Sequence, residues 1–353
     1  MIVVTGGAGF IGSNFIHDWF AHADEPLVNI DKLTYAGNLD NLADISGRAG
    51  YSFLRADIGD QLAMSNVFDG EPRAVINFAA ESHVDRSIKS PGEFIQTNIV
   101  GTFNLLECAL AYWRSLSPSD QRNFLFVHIS TDEVYGSLEQ NEPKFTEKSA
   151  YQPNSPYASS KASSDHLVRS YHKTYGLPCI ITNCSNNFGP RQFPEKLIPL
   201  TIMNALSGKD IPIYGDGMQR RDWLYVVDHC QAIRRVLNEG SPGKVYNIGG
   251  NAELTNIEVV SLICDVLSTR TEKSGEEYKS QIRFVEDRPG HDTRYSVDIH
   301  YIKESLDWQP FFTTRSGLEL TVDWYLNNTQ WLNNVASGAY REWIESHYGQ
   351  NTL

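Results

Sequence analysis

Positive charge is scarce in this chain: 30 Lys and Arg stand against 43 Asp and Glu, a formal net charge of −13. No Lys/Arg run relieves the deficit, which excludes a nucleic-acid-binding surface, because phosphate backbones are met by basic stripes. An anionic ligand must instead be held by a few local cations. Cysteine is also sparse and poorly placed for structural use. Cys108, Cys179, Cys184, Cys230 and Cys264 are odd in number and lack CxxC spacing, so neither a disulfide framework nor a zinc site is expected, and no metal is. No apolar run approaches the roughly 20 residues of a membrane span. The opening MIVVTGG reaches glycine at Gly6, too soon for a signal-peptide core. The expectation is a soluble, cytoplasmic protein with reduced thiols, no membrane contact, no internal repeat and no low-complexity tract.

What is present is alternation. Short β-branched runs at 2–4, 27–30, 51–56, 74–79, 124–130 and 178–185 alternate with amphipathic stretches such as 10–22 and 93–113, whose apolar residues recur three and four apart. That rhythm is the signature of βαβ units in a parallel α/β sheet. At 353 residues the chain is long for one core, so a large domain with a smaller one is expected. Past residue 186 the pattern breaks into Pro- and Gly-punctuated pieces with helices near 227–238 and 255–268. The polar segment 270–280 reads as a mobile surface loop and 315–346 as a helical tail rich in Trp and Tyr. The expected division is 1–185 for a Rossmann-like, doubly wound dinucleotide-binding domain, with the chain returning to it near 223–252. Residues 186–353 would be mainly a smaller C-terminal α/β substrate-binding region plus the tail.

TGGAGFIG places Gly6, Gly9 and Gly12 between a strand and a helix, where glycines allow a tight turn and close approach of backbone to a pyrophosphate. Glycines alone are an ordinary strand-to-helix turn. Asp31, closing the next strand candidate, adds an acceptor for an adenosine ribose and opposes a 2′-phosphate, which favours NAD over NADP; the adjacent Lys32 weakens that preference. Asp57 and Ile58 fall at the adenine edge of such a sheet. Tyr157 and Lys161 stand one helical turn apart. Either could be a surface residue, but beside a dinucleotide a tyrosine could act as a base if its pKa fell by roughly 3 units, about 4 kcal/mol, under a nearby ammonium and a positive nicotinamide. HISTDEVYG, 128–136, ends a strand-like run in two adjacent carboxylates, Asp132 and Glu133, more than a solvated turn requires.

These motifs resemble the extended short-chain dehydrogenase/reductase superfamily and, within it, the dTDP-glucose 4,6-dehydratase family. TGGAGFIGSN, DKLTYAGNL, AAESHVDRSI, TNIVGT, ISTDEVYG, SPYASSKASSDHLV, TNCSNNFGPRQFPEKLIP, RDWLYVVDH, YNIGG and DRPGHD follow one another in that family's order. The resemblance covers essentially the whole chain. One departure is Asp307 in LDWQP, at a position that is usually Gly. The resemblance implies a tightly bound, recycled NAD, a dTDP-glucose substrate and a lyase reaction: oxidation at C4, elimination of water across C5 and C6, and hydride return to C6. It implies that Tyr157 takes the C4 hydroxyl proton, Glu133 the C5 proton, Asp132 protonates the C6 hydroxyl, Thr131 binds the C4 oxygen and Lys161 holds the nicotinamide ribose.

By the same resemblance the cofactor would also be lined by Phe10, Ile11, Leu33, Thr34, Phe78, Ala79, Ala80, Ser82, Thr97 and Asn187. Substrate contacts would come from Ser82, Asn186, Lys196, Leu197, Ile198, Pro212, Ile213, Tyr214, Arg221, Asn256, Asp287, Arg288 and His291, with Arg221, Lys196 and Arg288 on the diphosphate. His83, His128 and His166 read as structural. Helices near 93–113 and 157–175 carry surplus apolar positions, and the family's equivalents form a homodimeric four-helix bundle. The open alternatives are a 4,6-dehydratase of a UDP-, CDP- or GDP-sugar, a UDP-sugar 4-epimerase, which has no use for Asp132-Glu133, and a non-catalytic NAD-sensing regulator.

Overall fold

The computed structural model describes residues 1–287 and 289–336. Seven parallel strands form its centre: β1 Ile2–Thr5, β2 Leu27–Asp31, β3 Tyr51–Arg55, β4 Ala74–Asn77, β5 Leu125–Thr131, β6 Cys179–Cys184 and, after an excursion, β10 Val245–Ile248. Their order is β3-β2-β1-β4-β5-β6-β10, so the winding direction reverses between β1 and β4. Ligands gather at the carboxyl ends of strands beside such a reversal. β1, β4, β5 and β6 are buried along their whole length, which explains why they read as continuous apolar runs rather than alternating ones.

The smaller sheets come from the second half of the chain. β7 Asn186–Phe188, β9 Arg220–Tyr225 and β11 Glu253–Thr255 make one, and β8 Ile211–Tyr214 pairs in parallel with β12 Ile282–Val285 in the other. Two apolar cores accompany this arrangement. One packs Phe15, Trp19, Val127 and Ile233 against the central sheet. The other gathers Phe188, Ile202, Ile213, Ile263 and Tyr325 around the smaller sheets.

Local chemistry sets the element boundaries. The helix Asn256–Ser268 opens with a capping box in which Thr255 and Glu258 satisfy each other's backbone N–H groups. A second capping box, Ser274 with Glu277, nucleates a helix at Gly275–Lys279. The polar stretch expected as a mobile loop is therefore partly ordered; two local side-chain acceptors do what an apolar stripe does elsewhere. The expected tail helix is two helices, Thr314–Asn327 and Thr329–Ala336, parted at Asn328; 337–346 lie outside the described residues. Trp331 packs on Trp324 and Tyr325, and its Nε1 donates to Asn41 at 2.8 Å, so this segment is fastened to the loop after β2. Asp307 adopts φ +48° just past the helix His300–Leu306, a left-handed position that glycine occupies without strain.

The stretch expected as one helix from 93 is interrupted by a π-helical turn, Ile95–Gly101, before the helix Thr102–Ser115. Such turns insert an extra residue and re-aim side chains. Here the turn delivers Asn98, whose amide accepts from Glu81 N at 2.8 Å, donates to Glu81 O at 3.0 Å and donates to Ser160 Oγ at 2.8 Å. It thereby ties the segment after β4 to the helix Pro156–Tyr175, which carries Tyr157 and Lys161.

Candidate active site

A cavity of about 300 Å³ opens at the carboxyl ends of the central strands. Its floor is the glycine turn. Gly6 has φ +69°, and a Cβ there would meet Ala79 N at 2.7 Å; a Cβ on Gly12 would meet Gly6 O at 2.4 Å. The helix Phe10–His22 begins with Gly9 as N-cap, with no side-chain cap and no acidic residue in its first turn. Its unsatisfied N–H groups and positive dipole end therefore face the cavity undiluted, which suits a pyrophosphate.

The adenosine end is built by β2 and β3. Asp31 is fixed by two backbone donors, Ala8 N on Oδ2 at 2.9 Å and Leu33 N on Oδ1 at 2.8 Å, and both keep a lone pair for a ribose. Lys32 forms an ion pair with Asp57 at 2.7 Å. The ammonium that could have welcomed a 2′-phosphate is already committed, so Asp31 sets the preference. Phe10, Ile11, Thr34, Ile58, Phe78, Ala79, Ala80, Ser82, Thr97 and Asn187 line the same cavity. Leu33 does not; at φ +59° it contributes its backbone to the Asp31 turn. His229, buried on the helix Val226–Glu239, lies 2.9 Å from Asn187 Oδ1 through Nδ1 and orients that amide, a role not legible in its sequence context.

The reactive end is shared by β5, the turn Asp132–Tyr135 and the helix Pro156–Tyr175. Thr131 caps the turn, its Oγ1 accepting from Glu133 N at 3.3 Å. Thr131, Asp132, Glu133, Tyr157 and Lys161 all line the cavity. Tyr157 is hydrogen-bonded to Thr131, while burial first and the Glu133 charge next push its hydroxyl well above the usual range. The expected lowering by a neighbouring ammonium is not what the protein alone produces. Lys161 points Nζ at Ile129 O, 2.8 Å away, beneath the site, so desolvation of the phenol wins.

Asp132 is buried, and Oδ2 has no hydrogen-bond partner. Burial, then the Glu133 and Asp222 charges, hold its carboxyl well above the normal range, against the lowering effect of Arg221. These surroundings favour its protonated form, and it faces the cavity with a second carboxyl, Glu133, one residue on.

The residues expected on the substrate divide. Asn186 and Lys196 line the cavity, and Lys196 Nζ donates to Ser82 O at 3.2 Å. Tyr214, Asp287 and His291 form a second cluster outside it. His291 Nδ1 is 2.6 Å from Asp287, the Tyr214 and His291 rings lie 6.3 Å apart, and Tyr214 OH donates to Asp85 at 3.3 Å. Gln219, unnoticed in the sequence, joins Asp287 to this cluster at 3.1 Å, and Asn256 N donates to Gln219 O at 3.1 Å. Pairing of β8 with β12 brings these distant residues together.

Pro212 stands in β8 beside them, half-buried. Ile198 and Ile213 are core residues, and Leu197 packs against that core, so their side chains are spent on packing. Arg221 donates to Arg220 O at 2.8 Å and Asp292 O at 2.9 Å and stacks over Tyr295. Arg288 lies outside the described residues. His83 Nε2 sits 3.5 Å from Glu195, and His166 packs on Tyr151, in keeping with structural roles.

A dinucleotide cradle at a sheet reversal, with a Tyr-x-x-x-Lys helix facing a Thr-Asp-Glu turn, defines a site of the extended short-chain dehydrogenase/reductase class. A family model described as GDP-mannose 4,6 dehydratase matches residues 3–321. A dTDP-glucose 4,6-dehydratase of Salmonella typhimurium is 55% identical over 98% of both chains. Among solved structures, dTDP-glucose 4,6-dehydratase from Bacillus anthracis in complex with NAD superposes with TM-score 0.84 at 45% identity, over 95% of this chain and 99% of that one. DesIV, the dTDP-glucose 4,6-dehydratase of Streptomyces venezuelae, with NAD and TYD bound, gives 0.87 at 43% identity over the same shares. The chain belongs to the nucleotide-sugar 4,6-dehydratase family, in the branch of dTDP-glucose 4,6-dehydratases.

Proposed function

We propose that this chain is an NAD-dependent hydro-lyase that converts dTDP-glucose to dTDP-4-dehydro-6-deoxyglucose and water. The observation that carries the reading is the pairing of Asp132, whose burial favours its protonated form, with Glu133 beside Tyr157 in one cavity. An epimerase of the same class would have no use for that pair.

The chemical difficulty is that the C5 hydrogen of glucose is not acidic and hydroxide leaves poorly. NAD, when bound, supplies a hydride acceptor at C4 and returns the hydride at C6. Tyr157 takes the C4 hydroxyl proton, and Thr131, hydrogen-bonded to Tyr157, holds the same oxygen. The 4-ketone acidifies C5, Glu133 removes that proton, and Asp132 donates its own to the departing C6 hydroxyl, which leaves as water; as the hydride is returned at C6, Glu133 gives its proton back to C5. Tyr157 keeps its proton in the protein alone, so its use as a base requires positive charge brought by the bound cofactor. Lys161 fits the nicotinamide ribose, and Gly6, Gly9, Gly12 and Asp31 the rest of the dinucleotide. Lys196 and Asn186 on the cavity wall serve the sugar nucleotide, and the Tyr214–Asp287–His291 cluster closes over its nucleoside end.

In this reading residues 1–185 with β10 form the cofactor domain and most of 186–336 the substrate domain. The enzyme works in the cytoplasm as a homodimer. Ile95, Val100, Phe103 and Tyr175, all exposed on the two helical stretches 91–115 and 156–175, support that assembly. No described helix is long and apolar enough to cross a membrane. Incubation with dTDP-glucose and with UDP-, CDP- and GDP-sugars, following the alkali-induced absorbance of a 4-keto-6-deoxy product, tests the reaction. Appearance of a C4 epimer without that product would overturn it, and a monomeric mass by light scattering at micromolar concentration would overturn the dimer.

A further inference from the structure

Beneath Tyr157 and Lys161 lies a buried polar chain that the reaction does not use. Asp165, one helical turn beyond Lys161, is 1% exposed. Its Oδ2 accepts from Ser130 Oγ at 2.8 Å, it is hydrogen-bonded to Tyr151, and its Oδ1 lies 3.5 Å from His128 Nε2. His128 is fully buried, with Nε2 also 3.3 Å from Ser164 Oγ and 3.4 Å from Lys161 Nζ.

Hydrogen-bond bookkeeping fixes the imidazole. Ala79 N donates to Thr5 Oγ1 at 3.3 Å, so the Thr5 hydroxyl donates to Asn77 Oδ1 at 2.6 Å. The Asn77 amide nitrogen then donates to His128 Nδ1 at 3.1 Å. Nδ1 is the acceptor, so the neutral ring carries its proton on Nε2, where it cannot accept from Lys161 and donates to Ser164 Oγ; Asp165 Oδ1, 3.5 Å away, accepts no hydrogen bond and meets Lys161 through its charge across the ring. A carboxylate this deep is costly unless a charge compensates it. The cation in reach is Lys161, across the ring.

We propose that Asp165 is a positioning residue for the Tyr157–Lys161 pair: acting through the His128 ring, it supplies the buried negative charge that keeps Lys161 an ammonium beneath Tyr157. The proposal rests on the dehydratase reading for its kinetic consequence but not for its electrostatic one. Burial pulls Lys161 down to about 8, with Asp165 the foremost opposing influence, and pushes Asp165 up to about 7, with Lys161 opposing. Glu133 faces Tyr157 with its charge and is untouched by the Asp165 substitution, while the remaining titratable groups facing the pair are neutral around pH 7. Burial holds His128 well below its usual value, pushes Cys184 of β6 up to about 12, and raises Tyr151, Tyr135 and Tyr157. Asp132 also faces Tyr157, but its upward shift comes from burial, Glu133 and Asp222, not from Asp165.

Asp165→Asn keeps the shape and removes the charge. Lys161 then loses its proton at lower pH, so ammonium-dependent activity survives at low pH and fails earlier as pH rises. The expected result is kcat within twofold of wild type at pH 6 and down ~5-fold at pH 8, the consequence of a one-unit fall from about 8, with KM for dTDP-glucose little changed. Independently of activity, ¹³C-lysine NMR of the protein, with Lys161 assigned from Lys161→Met, should show its titration midpoint lowered by about one unit. An unmoved midpoint, or a uniform loss of kcat at every pH accompanied by a lower Tm, would overturn the proposal. Should Asp165→Asn not fold, Ser130→Ala is the substitute: it removes one donor from Asp165 and should move the same midpoint in the same direction by less, and no movement there counts against the proposal equally. A wild-type enzyme inactive on every nucleotide sugar would instead defeat the dehydratase reading while leaving the NMR result to judge Asp165.

Discussion

The cofactor half and the substrate half of this molecule are built on different rules. In the first, the turns just past β1 and β4 and the ends of β2 and β5 converge on one cavity beside the reversal of winding between β1 and β4. In the second, Tyr214, Gln219, Asn256, Asp287 and His291 are assembled from the end of β8, the loops after β8 and β12 and the first turn of the helix Asn256–Ser268, and none lines that cavity. On the proposed reading, the chemistry sits at the strand ends and on the helix Pro156–Tyr175, while recognition draws on a region whose contacts depend on long-range pairing.

Substitutions can break or sharpen that contrast. The largest effect is expected at Glu133→Gln, where loss of the C5 base should cut product formation by about 10³-fold with NAD still bound; full activity in that variant would sink the assigned role. Next comes Gly12→Ala, whose methyl would press on Gly6 O and Gly7 Cα at 2.4 and 2.8 Å. NAD affinity by calorimetry should weaken at least tenfold, roughly 1.4 kcal/mol, and unaltered binding would deny the cradle. On the substrate side, Lys196→Met should raise KM about tenfold with kcat nearly kept, as for a lost charge-assisted contact worth roughly 1.5 kcal/mol; a kcat loss of equal size would move Lys196 into the chemistry.

A pH profile separates the halves again. Asp132 must carry a proton and its value is raised, so kcat should hold on the acid side and fall as pH climbs through that raised value, whereas Asp132→Asn should lose this limb together with most of the rate. The smallest effect belongs to Thr255→Ala, which opens the capping box of Asn256–Ser268 and should cost about 1 kcal/mol by denaturant titration while leaving kcat alone.

The same contrast governs what could be read in the sequence. The glycine turn, Asp31, the Tyr157/Lys161 spacing and the parallel sheet are local or periodic signals; the sheet is the one expected, and the residues line one cavity at its carboxyl ends. Resemblance carried the acidic pair's division of labour, and it named Tyr214 and Asp287 without showing how they meet. Asn98, His229, Gln219 and the His128–Asp165 chain stayed hidden, because a polar residue reads the same in helix, strand or loop whether it faces water or a buried partner. The π-turn was invisible for a related reason: Ile95–Gly101 has helical periodicity, and only its tertiary anchorage to Glu81 and Ser160 reveals the added residue. The loop expected at 270–280 turned helical because capping, not hydrophobic pattern, nucleates it.

The ion pair between Lys32 and Asp57 has a consequence for anyone wishing to redesign coenzyme choice. Replacing Asp31 by a neutral residue would remove the repulsion toward a phosphorylated ribose but would not recruit an attraction, since the neighbouring ammonium is held by its own carboxylate partner. Two edits are needed, one at each strand end, and the second must liberate Lys32 without unseating the backbone turn that Asp57 also anchors through Gly59 N at 2.8 Å. Selectivity here is a double lock, and single-site libraries at Asp31 should return enzymes that have lost one coenzyme without gaining the other.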